Sequence, residues 1–94
     1  MRLIKPGYYR HFKGGLYNVI GIAKHTETDE KFVVYARIKT AEGKLDSSGT
    51  IYARPYDMFA SEVDHQKYPE VKQHYRFERS LIQPKKTEVE NETD

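Results

Sequence analysis

The sequence predicts an all-β fold: a single small domain, built as a barrel or strongly curled antiparallel sheet of about five short strands, with one short helical turn after Pro55 and a disordered acidic C-terminal tail. Three observations carry this. The runs LYNVIGIAK (residues 16–24) and KFVVYARIKT (residues 31–40) are rich in aromatic and β-branched residues, which suit a pleated, half-buried surface. The polar segment HTETDE between them consists of side chains that hydrogen-bond their own backbone, which is turn chemistry. The remaining apolar segments are short and spaced as in a small barrel.

Taken in order, residues 1–5 are a short amphipathic start, and Pro6-Gly7 marks a turn. Residues 8–13 (YYRHFK) suit a short strand or extended edge, and Gly14-Gly15 lets the chain reverse. In residues 16–24 both parities are apolar. Leu16, Ile20 and Ile22 share one, and Tyr17, Val19, Gly21 and Ala23 the other. That strand is expected to be covered on both sides or to bend, with Gly21 favouring a bulge. The strand over residues 31–40 is expected to bury Phe32, Val34, Ala36 and Ile38 and expose Lys31, Val33, Tyr35, Arg37 and Lys39. The two form a hairpin.

Residues 41–49 read as a loop and residues 50–54 as a third strand. Pro55 ends that strand and can open a helical turn, because its fixed φ suits a first helical position. Met58 and Phe59 of that turn are expected on the core. Residues 61–66 and 73–78 read as two further strands, with a helix over residues 60–65 as the competing reading. The tail of residues 83–94 is polar, acidic and without periodicity, so it has too little apolar surface to offset the entropy of ordering. The compact domain is therefore placed at residues 1–82, and an SH3-like barrel or a similar small sheet is the expected architecture.

Ninety-four residues fit one domain. A chain this short buries only roughly 60–65% of its unfolded surface. No cysteine is present to form a disulfide or thiolate zinc site. The first residues do not read as a signal peptide, and no apolar run is long enough to cross a bilayer, so a cytoplasmic protein with no membrane partner is expected. Lys85 and Lys86 against Glu88, Glu90, Glu92 and Asp94 leave the tail at −2, so residues 1–82 carry +4 of the net +2. A mildly basic body with eight tyrosines is compatible with polyanion binding, although it lacks the long basic stripe of a dedicated nucleic-acid protein.

Separated blocks of the sequence resemble the small prokaryotic family known as domain of unknown function 1653. They are Gly7-x-Tyr9-Arg10-His11-Phe12-Lys13-Gly14, then Tyr17-x-Val19-x-Gly21-x-Ala23-x-His25-Thr26-Glu27-Thr28, then Val34, then Ala53-Arg54-Pro55-x-x-Met58-Phe59, with Arg76-Phe77 similar to a closing strand. Two departures stand out. Tyr52-Ala53 stands where members often carry Trp, and residues 64–75 are longer than usual. The resemblance implies a small compact β domain and no particular activity.

Three spots carry candidate chemistry. Arg10, His11 and Lys13 lie among Tyr8, Tyr9 and Phe12, where cations could hold phosphate while rings stack on bases. The plain reading is an ordinary edge strand. His25 with Glu27 could serve as an acid/base pair, but two residues apart in a turn they more simply bond their own backbone. Arg54 could present its fork to a phosphate, or could pair with Asp57 or Glu27 and pin the turn after its strand. If the hairpin curls over the first strand, Arg10, His11, His25, Glu27 and Arg54 converge. His65 and His74 have no established metal-ligand spacing, no Gly-rich phosphate loop is present, and no cofactor is expected.

The leading functional expectation is a non-enzymatic module that binds nucleic acid or another phosphate-bearing ligand through Tyr8, Tyr9, Arg10, His11, Lys13 and Arg54. It calls for a flat basic strand face. A small enzyme or metabolite-binding domain using His11, His25, Glu27 and Arg54 is the rival, and it calls for a closed pocket with a His–Glu hydrogen bond. A protein–protein adaptor or homodimer is the third reading. The sequence leaves the oligomeric state open.

Overall fold

The computed structural model describes residues 2–80. The acidic tail expected over residues 83–94 lies outside them. Five antiparallel strands form one sheet: β1 (Gly7–His11), β2 (Leu16–Lys24), β3 (Lys31–Lys39), β4 (Ile51–Pro55) and β5 (Phe77–Arg79), with the single-turn helix α1 (Tyr56–Phe59) after β4. The strand order is β4-β3-β2-β1-β5.

The sheet is open, which corrects the barrel expectation. Closure would require β4 to pair with β5. Instead these edges meet through side chains, with the Arg54 guanidinium 5.8 Å from the centre of the Phe77 ring. Interposed side chains hold the two backbones beyond the ~4.8 Å of a ladder. The same contact requires the sheet to curl, since four interstrand steps of a flat sheet would separate the edges by ~19 Å.

The β2–β3 hairpin forms where the two apolar runs predict it. Its register shifts between Val19 and Gly21, leaving Ile20 as the extra residue of a bulge, 52% exposed. The bulge reverses the alternation of β2. Tyr17 and Val19 face the core before it, and Ile22, opposite Val33, shares the core side after it.

The expected facing of β3 is reversed. Val33 and Tyr35 are buried, while Phe32, Val34, Ala36 and Ile38 lie half-buried on the opposite face. Both parities of this strand are apolar, so alternation alone cannot choose between them. The covering elements choose, because Ile4, Phe59 and Phe77 pack on the Val33 and Tyr35 side. Arg37 is tolerated on that side because Asp46 meets it at 2.8 Å. Hydrogen bonds from Ser48, and then from Arg37, hold the Asp46 carboxyl down at about 2.

The core is an aromatic stack. Phe59 and Phe77 lie face to face with centroids 4.0 Å apart, Tyr9 meets Phe59 edge-on at 5.6 Å, and Tyr35 contacts both phenylalanines. Met58 does not join them and is 51% exposed. Successive residues in a helical turn point about 100° apart, so Phe59 reaches the core and its neighbour cannot. Residues 61–76 form neither the expected hairpin nor a helix. A single Glu62–Tyr75 bridge joins the ends of an irregular loop, and β5 pairs with β1 instead. No helix among the described residues is long and apolar enough to cross a membrane.

Candidate functional site

The turn after β1 builds one wall of a cleft. The backbone reverses over residues 11–15, with the Gly14 N–H donating to the His11 carbonyl at 2.8 Å. Gly15 sits at φ +99°, and a Cβ there would lie 3.1 Å from the Lys39 carbonyl oxygen, so this position accepts little but glycine. The Lys13 amide donates to His11 Nδ1 at 3.0 Å. A neutral imidazole whose Nδ1 accepts carries its proton on Nε2, so toward a ligand His11 is a donor rather than a base.

The irregular loop builds the opposite wall. The Phe12 amide donates to the Arg76 carbonyl at 3.0 Å, tying the two walls together. Asp64 Oδ1 accepts the amides of Gln66 and Lys67 at 3.1 and 3.3 Å, which sets the turn that presents Lys67 and Tyr68. Tyr68 then packs edge-on against Phe12, with centroids 5.1 Å apart. Arg54 reaches over from β4. The result is a cleft of about 420 Å³ lined by His11, Phe12, Lys13, Arg54, Asp64, Lys67, Tyr68 and Arg76.

Charge is unbalanced in this cleft. Four cationic side chains face one carboxylate, and that carboxylate already serves its own turn. The two arginines are anchored by neutral oxygens: Arg54 Nε donates to the Tyr35 hydroxyl at 3.3 Å, and Arg76 Nε donates to Ser61 Oγ at 3.1 Å. Both are half-buried, and among the described residues neither lies in an ion pair. The expected pairing of Arg54 with Asp57 or Glu27 is therefore absent. Neutral anchors orient a guanidinium without cancelling its charge.

His11 registers that field. Burial first, then the charges of Arg54, Arg76 and Lys13, push its pKa down to about 4, so the ring is neutral at pH 7. Because the folded-state pKa is the lower one, the protonated ring is disfavoured only in the folded protein. The stability at stake is present above about pH 6.5 and is lost as pH falls toward and through about 4. Replacing His11 with Gln removes this loss. The thermal midpoint of the wild type is expected to fall relative to His11→Gln between pH 6.5 and 4, and parallel curves for the two proteins would contradict the assignment.

The expected site residues divide between places. His11, Lys13 and Arg54 converge. Arg10 sits on the other face of β1, where its Nε donates to Gln73 Oε1 at 3.3 Å. Tyr8 neighbours it in β1 and is half-buried. Tyr9 is 2% exposed and spends its hydroxyl on Lys5, donating to the carbonyl at 2.8 Å, so it belongs to the core. His25 and Glu27 lie in the hairpin turn and do not line the cleft. There His25 Nδ1 accepts the Glu27 and Thr28 amides at 3.1 and 3.3 Å, and the contact involves the Glu27 backbone rather than its carboxylate. The hairpin thus does not bring the five polar residues together. The cations also occupy a concave cleft between two turns, not a flat strand face.

Sequence reasoning missed Lys67, Tyr68 and Arg76. Their signal was present as a repeated pairing of a cation with a neighbouring ring, in Phe12-Lys13, Lys67-Tyr68 and Tyr75-Arg76-Phe77.

Comparisons with known proteins add the following. The family model described as "Protein of unknown function (DUF1653)" matches residues 7–79. Among solved structures, the crystal structure of a DUF1653 protein from Bordetella bronchiseptica is similar, with 29% sequence identity and a TM-score of 0.64 over 86% of this chain and 94% of that one. Comparison with curated proteins found no match.

Proposed function

The chain belongs to the DUF1653 family of unknown function, and from that premise we propose that it is a small non-enzymatic binding module whose basic cleft takes the phosphate of a nucleic acid or another phosphate-bearing molecule. One observation carries this reading: Arg54 and Arg76 converge half-buried on a cleft, oriented by neutral oxygens and in no ion pair among the described residues. A charge held out of bulk water without a counter-ion is costly, and an incoming anion removes that cost. Lys13, Lys67 and the Nε2–H of His11 add donors, as phosphate oxygens require.

The enzyme reading has less support. It needs a base, and the imidazole in the cleft has its Nδ1 occupied and its Nε2 protonated.

The locating experiment is an amide NMR titration of ¹⁵N-labelled protein with mixed-sequence single-stranded RNA at low and moderate salt. Shifts are expected at residues 11–13, 54, 64–68 and 76, fading as salt rises. Shifts confined to the hairpin turn around His25, or none at all, would contradict the proposal.

A further inference from the structure

Resting on that reading of the cleft, we infer that the group it recognises is a dianionic terminal phosphate, free or at the end of a larger molecule, and that it reads the phosphate rather than any base attached to it. Three features of the cleft carry this.

The first is that four cations are gathered around one cleft. The other described arginines do not line this cleft, and Arg2 is held by the Phe77 carbonyl and over the Tyr75 ring. Arg10 is on the opposite face of its strand with Gln73, Arg37 is paired with Asp46 at 2.8 Å, and Arg79 donates to the Pro6 carbonyl at 2.9 Å. A single-stranded backbone bound along its length needs cations spaced along a groove. A chain end needs one cluster.

Second, the aromatic rings of the cleft are already covered. The Lys13 ammonium lies 5.7 Å from the Phe12 centroid and 5.2 Å from that of Tyr68, and the Lys67 ammonium lies 5.5 Å from Tyr68. A base stacking there would compete with these ammonium groups for the rings. The rings therefore serve to hold the lysines over the cleft.

The third feature is the charge balance. The lining carries four cations against one carboxylate that is committed to its own turn. An internal phosphodiester brings one negative charge and two free oxygens. A terminal phosphate brings roughly −1.5 to −2 at pH 7 and three strong acceptor oxygens. Two guanidinium forks, two ammonium groups and the His11 Nε2–H match the second far better than the first.

The test compares 3′-labelled oligothymidylates of eight nucleotides that differ only in a 5′-phosphate or a 5′-hydroxyl, by fluorescence anisotropy with the full chain. The 5′-phosphate is expected to tighten binding at least tenfold, with inorganic phosphate competing and dimethyl phosphate not competing. Lys13→Gln and Lys67→Gln change exposed residues and leave the thermal midpoint in place, yet each is expected to lower the 5′-phosphate preference severalfold. Inorganic phosphate binding as tightly as the phosphorylated oligonucleotide would identify the free ion as the source of this chemistry. Weaker binding of the free ion would identify a phosphorylated molecule. Equal affinity for the two oligonucleotides, still salt-dependent and still weakened by Arg54→Gln, would overturn this inference and leave the broader phosphate reading standing. Failure to bind either oligonucleotide or inorganic phosphate would remove both.

Discussion

Phe77→Ala is expected to abolish cooperative unfolding or to lower its midpoint by at least ~12 °C. Phe77 is 1% exposed and lies at the centre of the aromatic stack, in ring contact with His11, Tyr17, Tyr35 and Phe59. Truncating a buried phenylalanine costs about 3–5 kcal/mol, counting both lost burial and the cavity left behind. Domains hold only ~0.05–0.15 kcal/mol of stability per residue, so in one this small the loss approaches the whole margin. Each kcal/mol corresponds to roughly 4–8 °C at this size. The effect also reaches the cleft, because the Phe77 ring supports the Arg54 guanidinium from below. Thermal unfolding followed by circular dichroism checks it, and a shift under about 5 °C would refute the central place given to this residue.

Phe32→Ala offers the contrasting case and bears on how much of the fold was legible. Period-two alternation placed Phe32 inside, whereas it is half-buried on the far face of the sheet, and its truncation is expected to cost well under half as much. The strands over residues 16–24 and 31–39, the bulge near Gly21 and the turn after Pro55 were readable because each depends on local chemistry: side-chain type, a glycine, a proline. The facing of β3 was not readable. It depends on which distant segments cover the sheet, and the buried Ile4 had no local mark to distinguish it. A strand near β5 was legible in residues 73–78, but its pairing with β1 was not, since the partner lies more than sixty positions away in sequence. The site divided along the same line. His11, Lys13 and Arg54 stood in dense blocks of basic and aromatic residues. Lys67 and Arg76 gain their meaning only when the loop folds back and the Phe12 amide meets the Arg76 carbonyl.

The largest functional effect is expected from the double replacement Arg54→Gln/Arg76→Gln. Both guanidinium groups are held by single bonds to neutral oxygens, which glutamine can partly reproduce, and neither is part of an ion pair among the described residues. Removing them therefore relieves mutual repulsion in the cleft without stranding a carboxylate, and the thermal midpoint is expected to hold or rise. Anion binding loses its two bidentate donors at the same time. Charge-assisted hydrogen bonds of this kind are worth roughly 1.5–3 kcal/mol each, so affinity is expected to fall at least tenfold. Losing the phosphate contact also makes the slope of log affinity against log salt shallower.

The salt dependence of binding to mixed-sequence single-stranded RNA, measured for the wild type and this double variant between about 50 and 200 mM salt, is the decisive test of the cleft as an anion site. Salt-sensitive binding is expected of the wild type, with the double variant at least tenfold weaker at low salt and its slope shallower. Equal affinity and equal slope for the two proteins, with both folded, would place any binding elsewhere on the surface and contradict the assignment of the cleft.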